Sequence, residues 1–129
     1  MEEIDTLAFG VSRLRLLREL AAGSRAKIVK VGAQATAFGM IRPGASAAYL
    51  GPVCARDSIP AKAIILDLLN SVHPGPVYWD IPDDNLPSVQ LAKELGFVEQ
   101  RPLVRMVRGE NQTPGNRFIQ FAIAGPEVG

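Results

Sequence analysis

Along this chain, apolar positions fall at helical spacing in some stretches and at strand spacing in others, and their order predicts a mixed α/β sheet. In residues 10–22, Leu14, Leu17, Leu20 and Ala21 recur at helical intervals, Arg13, Arg18 and Glu19 take other faces, and Gly23 supplies a stop. Residues 26–31 alternate Ile28 and Val29 with Lys27 and Lys30 as a strand does. After a Gly32-Ala33-Gln34 turn, 35–41 completes a hairpin. Residues 47–54 are nearly all apolar, the mark of a strand buried on both faces. The Pro43-Gly44 turn ahead of them makes three consecutive antiparallel neighbours.

Residues 58–72 place Ala61, Ile64, Ile65, Leu68, Leu69 and Val72 on one side of a helix, with Ser58 as the expected N-cap and Pro60 in the first turn, where its missing N–H costs little. Pro74-Gly75-Pro76 then reverses the chain into a strand over 77–81, parallel to 47–54, because parallel pairing needs a crossover of this length. Asn85 caps a last helix, with Pro87 in its first turn, Ser88, Leu91, Ala92 and Leu95 inward, and Gly96 in the left-handed stop position. Two strands follow, 98–108, interrupted by Pro102, and 117–124, across a polar loop at 109–116. With neither an internal repeat nor a splitting linker, residues 1–129 are expected to form one domain.

The chain has 129 residues, of which 47% are apolar, and a net charge of +1. That suits one soluble globular unit and gives no clustered basic excess of the kind a nucleic-acid surface carries. Arg13, Arg15 and Arg18, the densest basic spot, read as solvated or salt-bridged side chains. One cysteine, Cys54, and one histidine, His73, exclude an intrachain disulfide and leave too few ligands for a metal cluster of those types. The expected setting is reducing and cytoplasmic. The acidic start lacks the features of a secretion signal, and no window approaches the ~18 apolar residues of a membrane span. Cys54 and His73 as nucleophile and base would lie at opposite ends of the crossover helix, about 20 Å apart, so both read as structural.

The break at Arg56-Asp57-Ser58 between a buried strand and a helix N-terminus is an anion-sized turn, since such a terminus offers convergent N–H groups and a favourable dipole. Short motifs occur around it in fixed order: Phe9-Gly10-x-x-Arg13, Gly39-x-x-Arg42-Pro43-Gly44, Leu50-Gly51-Pro52-Val53-x-Ala55, Asp80-x-Pro82-x-x-Asn85, Leu95-Gly96-Phe97 and Arg105-Met106-x-x-Gly109. Together with the segment order they resemble the GNAT superfamily of acyl-CoA-dependent N-acyltransferases. The pattern is most similar to the C-terminal domain of two-domain GNAT proteins of the YitH type. The resemblance spans nearly the whole chain, lacking the first strand and up to one early helix.

The resemblance implies a GNAT-like fold and transfer of an acetyl group from acetyl-CoA, or another acyl-CoA, to a small-molecule amine by direct attack without a covalent enzyme intermediate. It implies a pyrophosphate at Arg56, Ser58, Ile59, Ala61 and Lys62, and backbone groups of Val53, Cys54 and Ala55 paired with the pantetheine arm like an added strand. Asn85 stands where the family commonly contacts the cofactor, with a plain helix cap as the alternative. Asp80, at the end of the central strand, is the candidate base or amine anchor, with a solvent-paired strand-end carboxylate as the alternative. The family turn reads Gln/Arg-x-x-Gly-x-Gly/Ala, whereas here Ile59 replaces the middle glycine, Pro60 removes a donor and Asp57 adds a negative charge. Ala92 stands where many members carry an acidic tyrosine. These departures favour the competing reading, a catalytically degenerate GNAT domain used for binding, regulation or dimerisation. An exposed sheet edge would suit a homodimer or a second GNAT domain as partner.

Overall fold

A computed structural model describes residues 1–128. The elements are α1 (Glu2–Phe9), α2 (Leu14–Ala22), β1 (Arg25–Val31), β2 (Gln34–Arg42), β3 (Ala48–Ala55), α3 (Ser58–Asn70), β4 (Val77–Trp79), α4 (Leu86–Glu94), a 3₁₀ turn (Arg117–Ile119) and β5 (Gln120–Ala122). Strands β1, β2 and β3 are antiparallel neighbours, and β4 joins β3 in parallel across the α3 crossover, as the apolar pattern predicts.

The sheet is covered on both faces. Ala37, Ile41, Leu50 and Val53 pack against Ile64, Ile65 and Leu68 of α3. Phe38, Met40 and Cys54 pack on the opposite face against Ile4, Ala8 and Phe9 of α1 and Leu17 of α2. Leu50 and Val53 share a face although they are three residues apart, which a regular period-two strand forbids. A bulge allows it: Gly39 and Ile41 of β2 stand opposite Val53 and Leu50, so β3 carries an extra residue around Gly51 and Pro52.

Several segments depart from expectation. One early helix is expected over 10–22, but two form, because Gly10 adopts a left-handed conformation, φ 76°, and its N–H closes α1 on the Thr6 carbonyl. Ile4 and Ala8, four apart behind an acidic first turn, are the pattern that marks α1. The α3 cap is Asp57, one residue before the expected Ser58. The strand expected over 77–81 stops at Trp79. Residues 98–108, expected as a strand, form none, and the strand expected over 117–124 contracts to the 3₁₀ turn and β5. A helix satisfies its own backbone, whereas strand residues need a neighbour, and 98–108 have none.

The placement of β5 is the decisive feature of the sheet. On the side of β3 away from β2, β4 pairs through Ala48, Tyr49 and Leu50, and β5 pairs antiparallel through Val53 and Cys54. Past Trp79 the β4 chain diverges, and the Ile123 N–H donates to the Asp80 carbonyl at 3.0 Å. The terminal strand therefore lies in the fork where β3 and β4 part. No helix among the described residues is long and apolar enough to cross a membrane.

Candidate functional site

At the N-terminus of α3 the expected anion turn is built differently from a phosphate cradle. Asp57 Oδ1 accepts from the Ile59 N–H at 2.9 Å, and Pro60 has no N–H to offer. The Ala61 N–H closes the first turn on the Asp57 carbonyl. Ser58, Ile59 and Lys62 line a cleft of about 430 Å³ against Pro87, Gln90, Leu91 and Glu94 of α4. Ile59 is 83% exposed there. Lys62 Nζ pairs with Glu94 Oε2 at 3.6 Å across that cleft, and Arg56 points to Glu3 of α1, 3.5 Å away. Ala61 is buried in the core. Three of the expected turn residues thus meet in the cleft, while Arg56 and Ala61 lie elsewhere.

The edge of β3 carries the second expected feature. Val53, Cys54 and Ala55 are buried, and the register sets Val53 opposite Ala122 and Cys54 opposite Gln120. Burial pushes the Cys54 thiol well above its ordinary value, with the Asp5 charge adding to the effect and Arg13 opposing it. Cys54 is a neutral core side chain, and His73 is exposed beyond the far end of α3.

Side chains from three parts of the chain, β2, β4 and the start of α4, seat the terminal segment by donating to its carbonyls. Asn85, fully buried, caps α4 by accepting the Ser88 N–H at 3.1 Å. Its amide N–H groups donate to Gln120 O at 2.8 Å and to Arg117 O and Phe118 O at 3.2 Å. Phe121 O accepts from Ser88 Oγ at 2.6 Å and from Trp79 Nε1 at 2.7 Å. Arg42 Nη2 donates to Ala124 O at 2.6 Å, Arg42 Nη1 to Gly51 O at 3.1 Å, and Gln120 Nε2 to Ala8 O. Asn85 thus does both jobs of a polar amide inside the protein, and a ligand could reach it only if the terminal strand left.

Asp80 ends the β4 chain beside the same segment. Its Oδ2 accepts a hydrogen bond from the Tyr49 hydroxyl, and the Arg42 guanidinium lies 4.4 Å from the Tyr49 ring centroid. Burial, then the Asp80 hydrogen bond, push the Tyr49 phenol far above its ordinary value, so it stays a neutral donor. Asp80, the candidate base, is thus engaged by the Tyr49 phenol. Tyr49, Arg42, Trp79, Ser88 and Gln120 are absent from the sequence-based candidates; Tyr49 bonds a carboxylate 31 residues away and the other four contact backbone carbonyls, neither of which leaves a residue-type pattern.

A pantetheine arm along the β3 edge and a pyrophosphate at α3 do not fit the residues as they stand. The edge groups of Val53 and Cys54 face β5, the Ile59 N–H is capped, Pro60 offers none, and Asn85 is consumed. Among the described residues no group of three or more His, Cys, Asp or Glu could hold a metal ion.

In fold, the chain is similar to the crystal structure of a Pyrococcus horikoshii protein assigned as an acetyltransferase. The TM-score is 0.72 at 23% identity, covering 99% of this chain and 42% of that one, so this chain spans less than half that protein's length. It is also similar to an aminoglycoside 6′-N-acetyltransferase from Acinetobacter haemolyticus, with a TM-score of 0.57 at 18% identity, covering 85% of this chain and 90% of that one. No curated protein matches the sequence. The family model described as an acetyltransferase (GNAT) domain matches residues 1–122, from α1 to the end of β5, and the chain belongs to that family.

Proposed function

We propose that this chain is a GNAT domain whose acyl-carrier groove is filled by its own terminal strand, and that it serves as a binding and pairing domain rather than as a transferase. The observation that carries this reading is the pairing of β5 with Val53 and Cys54, the edge along which the family lays its acyl carrier. Capping of Ile59 by Asp57 and the full use of Asn85 point the same way.

A second reading, acetyl transfer from acetyl-CoA to a small-molecule amine with Asp80 as base, is favoured by the cleft lined by Ser58, Ile59 and Lys62. It requires the terminal strand to withdraw. Calorimetric titration of acetyl-CoA into the chain decides between them, with Ile59→Asp as control, because Ile59 is exposed and its replacement leaves the core intact. The closed domain predicts no heat at roughly millimolar cofactor and no thermal stabilisation. Binding of about micromolar Kd that Ile59→Asp abolishes would overturn it and establish the cleft as a cofactor site.

A further inference from the structure

At the end of the sheet away from the fork, the β2–β3 and α3–β4 connections enclose a pocket of about 460 Å³. It is separate from the groove that β5 fills. Ala48 at the pocket and Val53 at the groove stand roughly 15 Å apart along β3, at about 3.3 Å per residue. The length of α3 separates the pocket from the Ser58 and Lys62 cleft.

Local chemistry fixes its walls. Pro43, Pro74 and Pro76 have locked φ angles, and the Ala48 N–H donates to the Pro76 carbonyl at 2.9 Å, which ties one loop to the other. Ile41, fully buried, and half-buried Ala48 and Val72 supply an apolar lining continuous with the core. The sheet register sets Arg25 opposite Ile41, and His73 follows the end of α3.

Arg25 and His73 are the charged or titratable side chains of this lining, and no Asp or Glu belongs to it. Neither makes a hydrogen bond or an ion pair among the described residues. The Gly44, Ala45 and Ser46 N–H groups make no main-chain hydrogen bond. Asp67 of α3 does not quench Arg25, because it pairs with Lys27 at 2.9 Å. The negative end of α3 is answered locally, since Leu68 O and Leu69 O accept from Ser71 and Val72.

We propose that this pocket binds a small apolar carboxylate, with its charge on Arg25, His73 and the 44–46 loop and its body on Ile41, Ala48 and Val72. The lining's charge excludes a cation. One guanidinium fork matches one carboxylate, and His73 donates a ring N–H whether neutral or charged. The apolar side would be wasted on inorganic phosphate. A cavity of about 150 Å³ holds benzene, so this one has room for a ring or branched chain, the carboxylate and its waters. The site is independent of whether the domain transfers acyl groups.

Titration of phenylacetate into the intact chain, followed by amide N–H chemical shifts, tests it. Gly44, Ala45, Ser46 and Gly75 should shift saturably with Kd about 1 mM, the range of a ligand of this size at an open site. Phenylacetamide, which lacks the charge, should bind at least about tenfold more weakly, and so should phenylacetate to Arg25→Gln. Arg25 is exposed, so that variant keeps its other amide shifts, and Arg15→Gln on α2 leaves binding unchanged. No saturable shift at about 20 mM phenylacetate overturns the proposal, as do shifts confined to the Ser58 and Lys62 cleft. Equal affinity for the amide, indifference to Arg25→Gln, or phenyl phosphate binding about tenfold tighter overturns it too.

Discussion

Replacing Asn85 separates two things its amide does. The oxygen caps α4 through the Ser88 N–H, and the nitrogen holds the carbonyls of Gln120, Arg117 and Phe118. In Asn85→Ala both are lost. The cap is worth about 1 kcal/mol. The two amide hydrogens, one on the 2.8 Å bond to Gln120 and one shared between the 3.2 Å contacts, are worth about 1 kcal/mol each, because the carbonyls left behind are shielded from water. The sum is about 3 kcal/mol, or roughly 12 °C in Tm for a domain of this size.

Asn85→Asp is the sharper test. It keeps the capping oxygen, and asparagine and aspartate are near equals at that position, so a residue that only caps predicts a stability within about 0.5 kcal/mol of the wild type. A residue that clamps the terminal strand predicts the opposite: the donors vanish and a carboxylate oxygen faces three carbonyls, so the loss should reach that of Asn85→Ala. Burial should raise the introduced carboxyl's pKa above the unfolded value of about 3.9, so the penalty is full above the folded pKa and fades as the pH falls towards about 4. Urea unfolding with an unchanged m-value measures both variants, and hydrogen exchange at Phe121 to Ile123 locates the effect. Near wild-type stability in Asn85→Asp at neutral pH would refute the clamp.

Gly51→Ala should cost about 3 kcal/mol or more in urea unfolding, because its Cβ would stand 1.9 Å from Ile123 O at φ 148°, whereas Gly32→Ala, at φ 61° with nothing within 4 Å, should cost only about 1 kcal/mol. Tyr49→Phe should cost about 1 kcal/mol at neutral pH by removing the donor to Asp80. Since the phenol's pKa is raised above 10.0, that contribution is complete below pH about 10 and lost above it, so the stability gap should narrow in alkali; a widening gap would count against it. Arg13→Met strands the fully buried Asp5, its partner at 2.7 Å, and should cost about 3 kcal/mol or more, with Asp5→Leu/Arg13→Met recovering most of the loss in a double-mutant cycle. Cys54 should resist a thiol reagent at pH 8 until the chain unfolds; labelling faster than unfolding would contradict its burial.

The parts of the fold legible in the sequence are those whose partner lies close along the chain or whose pattern is long. Ile28 to Val31 and Ala35 to Ile41 meet across a short turn, and α3 repeats its apolar positions over three turns. The Asn85 cap and the left-handed Gly96 are local chemistry and stand as read. The location of β5 was not legible, because a three-residue strand carries no information about which edge it joins; that choice was made by carbonyl contacts to Asn85, Ser88, Trp79 and Arg42. Residues 98–108 show the converse, an apolar stretch expected as a strand that forms none. At the candidate site, Asp80 was visible as a strand-end carboxylate, but Tyr49, 31 residues upstream, was not.

The buried polar side chains show how firmly the closed form is held. Among the described residues these are Asp5, Asn85, Ser88 and Gln120, and no buried side-chain donor or acceptor lacks a partner. Asn85 and Ser88 hold the terminal strand, Gln120 ties it to α1, and Asp5 orients Arg13, which donates to Val128 O at 3.4 Å. A lid meant to open is drawn from the low-stability end of a structure. Withdrawing this strand gives up five or so side-chain hydrogen bonds at about 1 kcal/mol each, before the exposure of Phe121 is counted. At 1.4 kcal/mol per factor of ten, roughly 5 kcal/mol makes the open form less than about one molecule in a thousand. A ligand with micromolar affinity for the open groove would then bind the whole population at millimolar concentration or weaker. Acyl transfer by this domain therefore needs something besides the acyl carrier to remove the strand, and a partner that merely pairs with the domain does not.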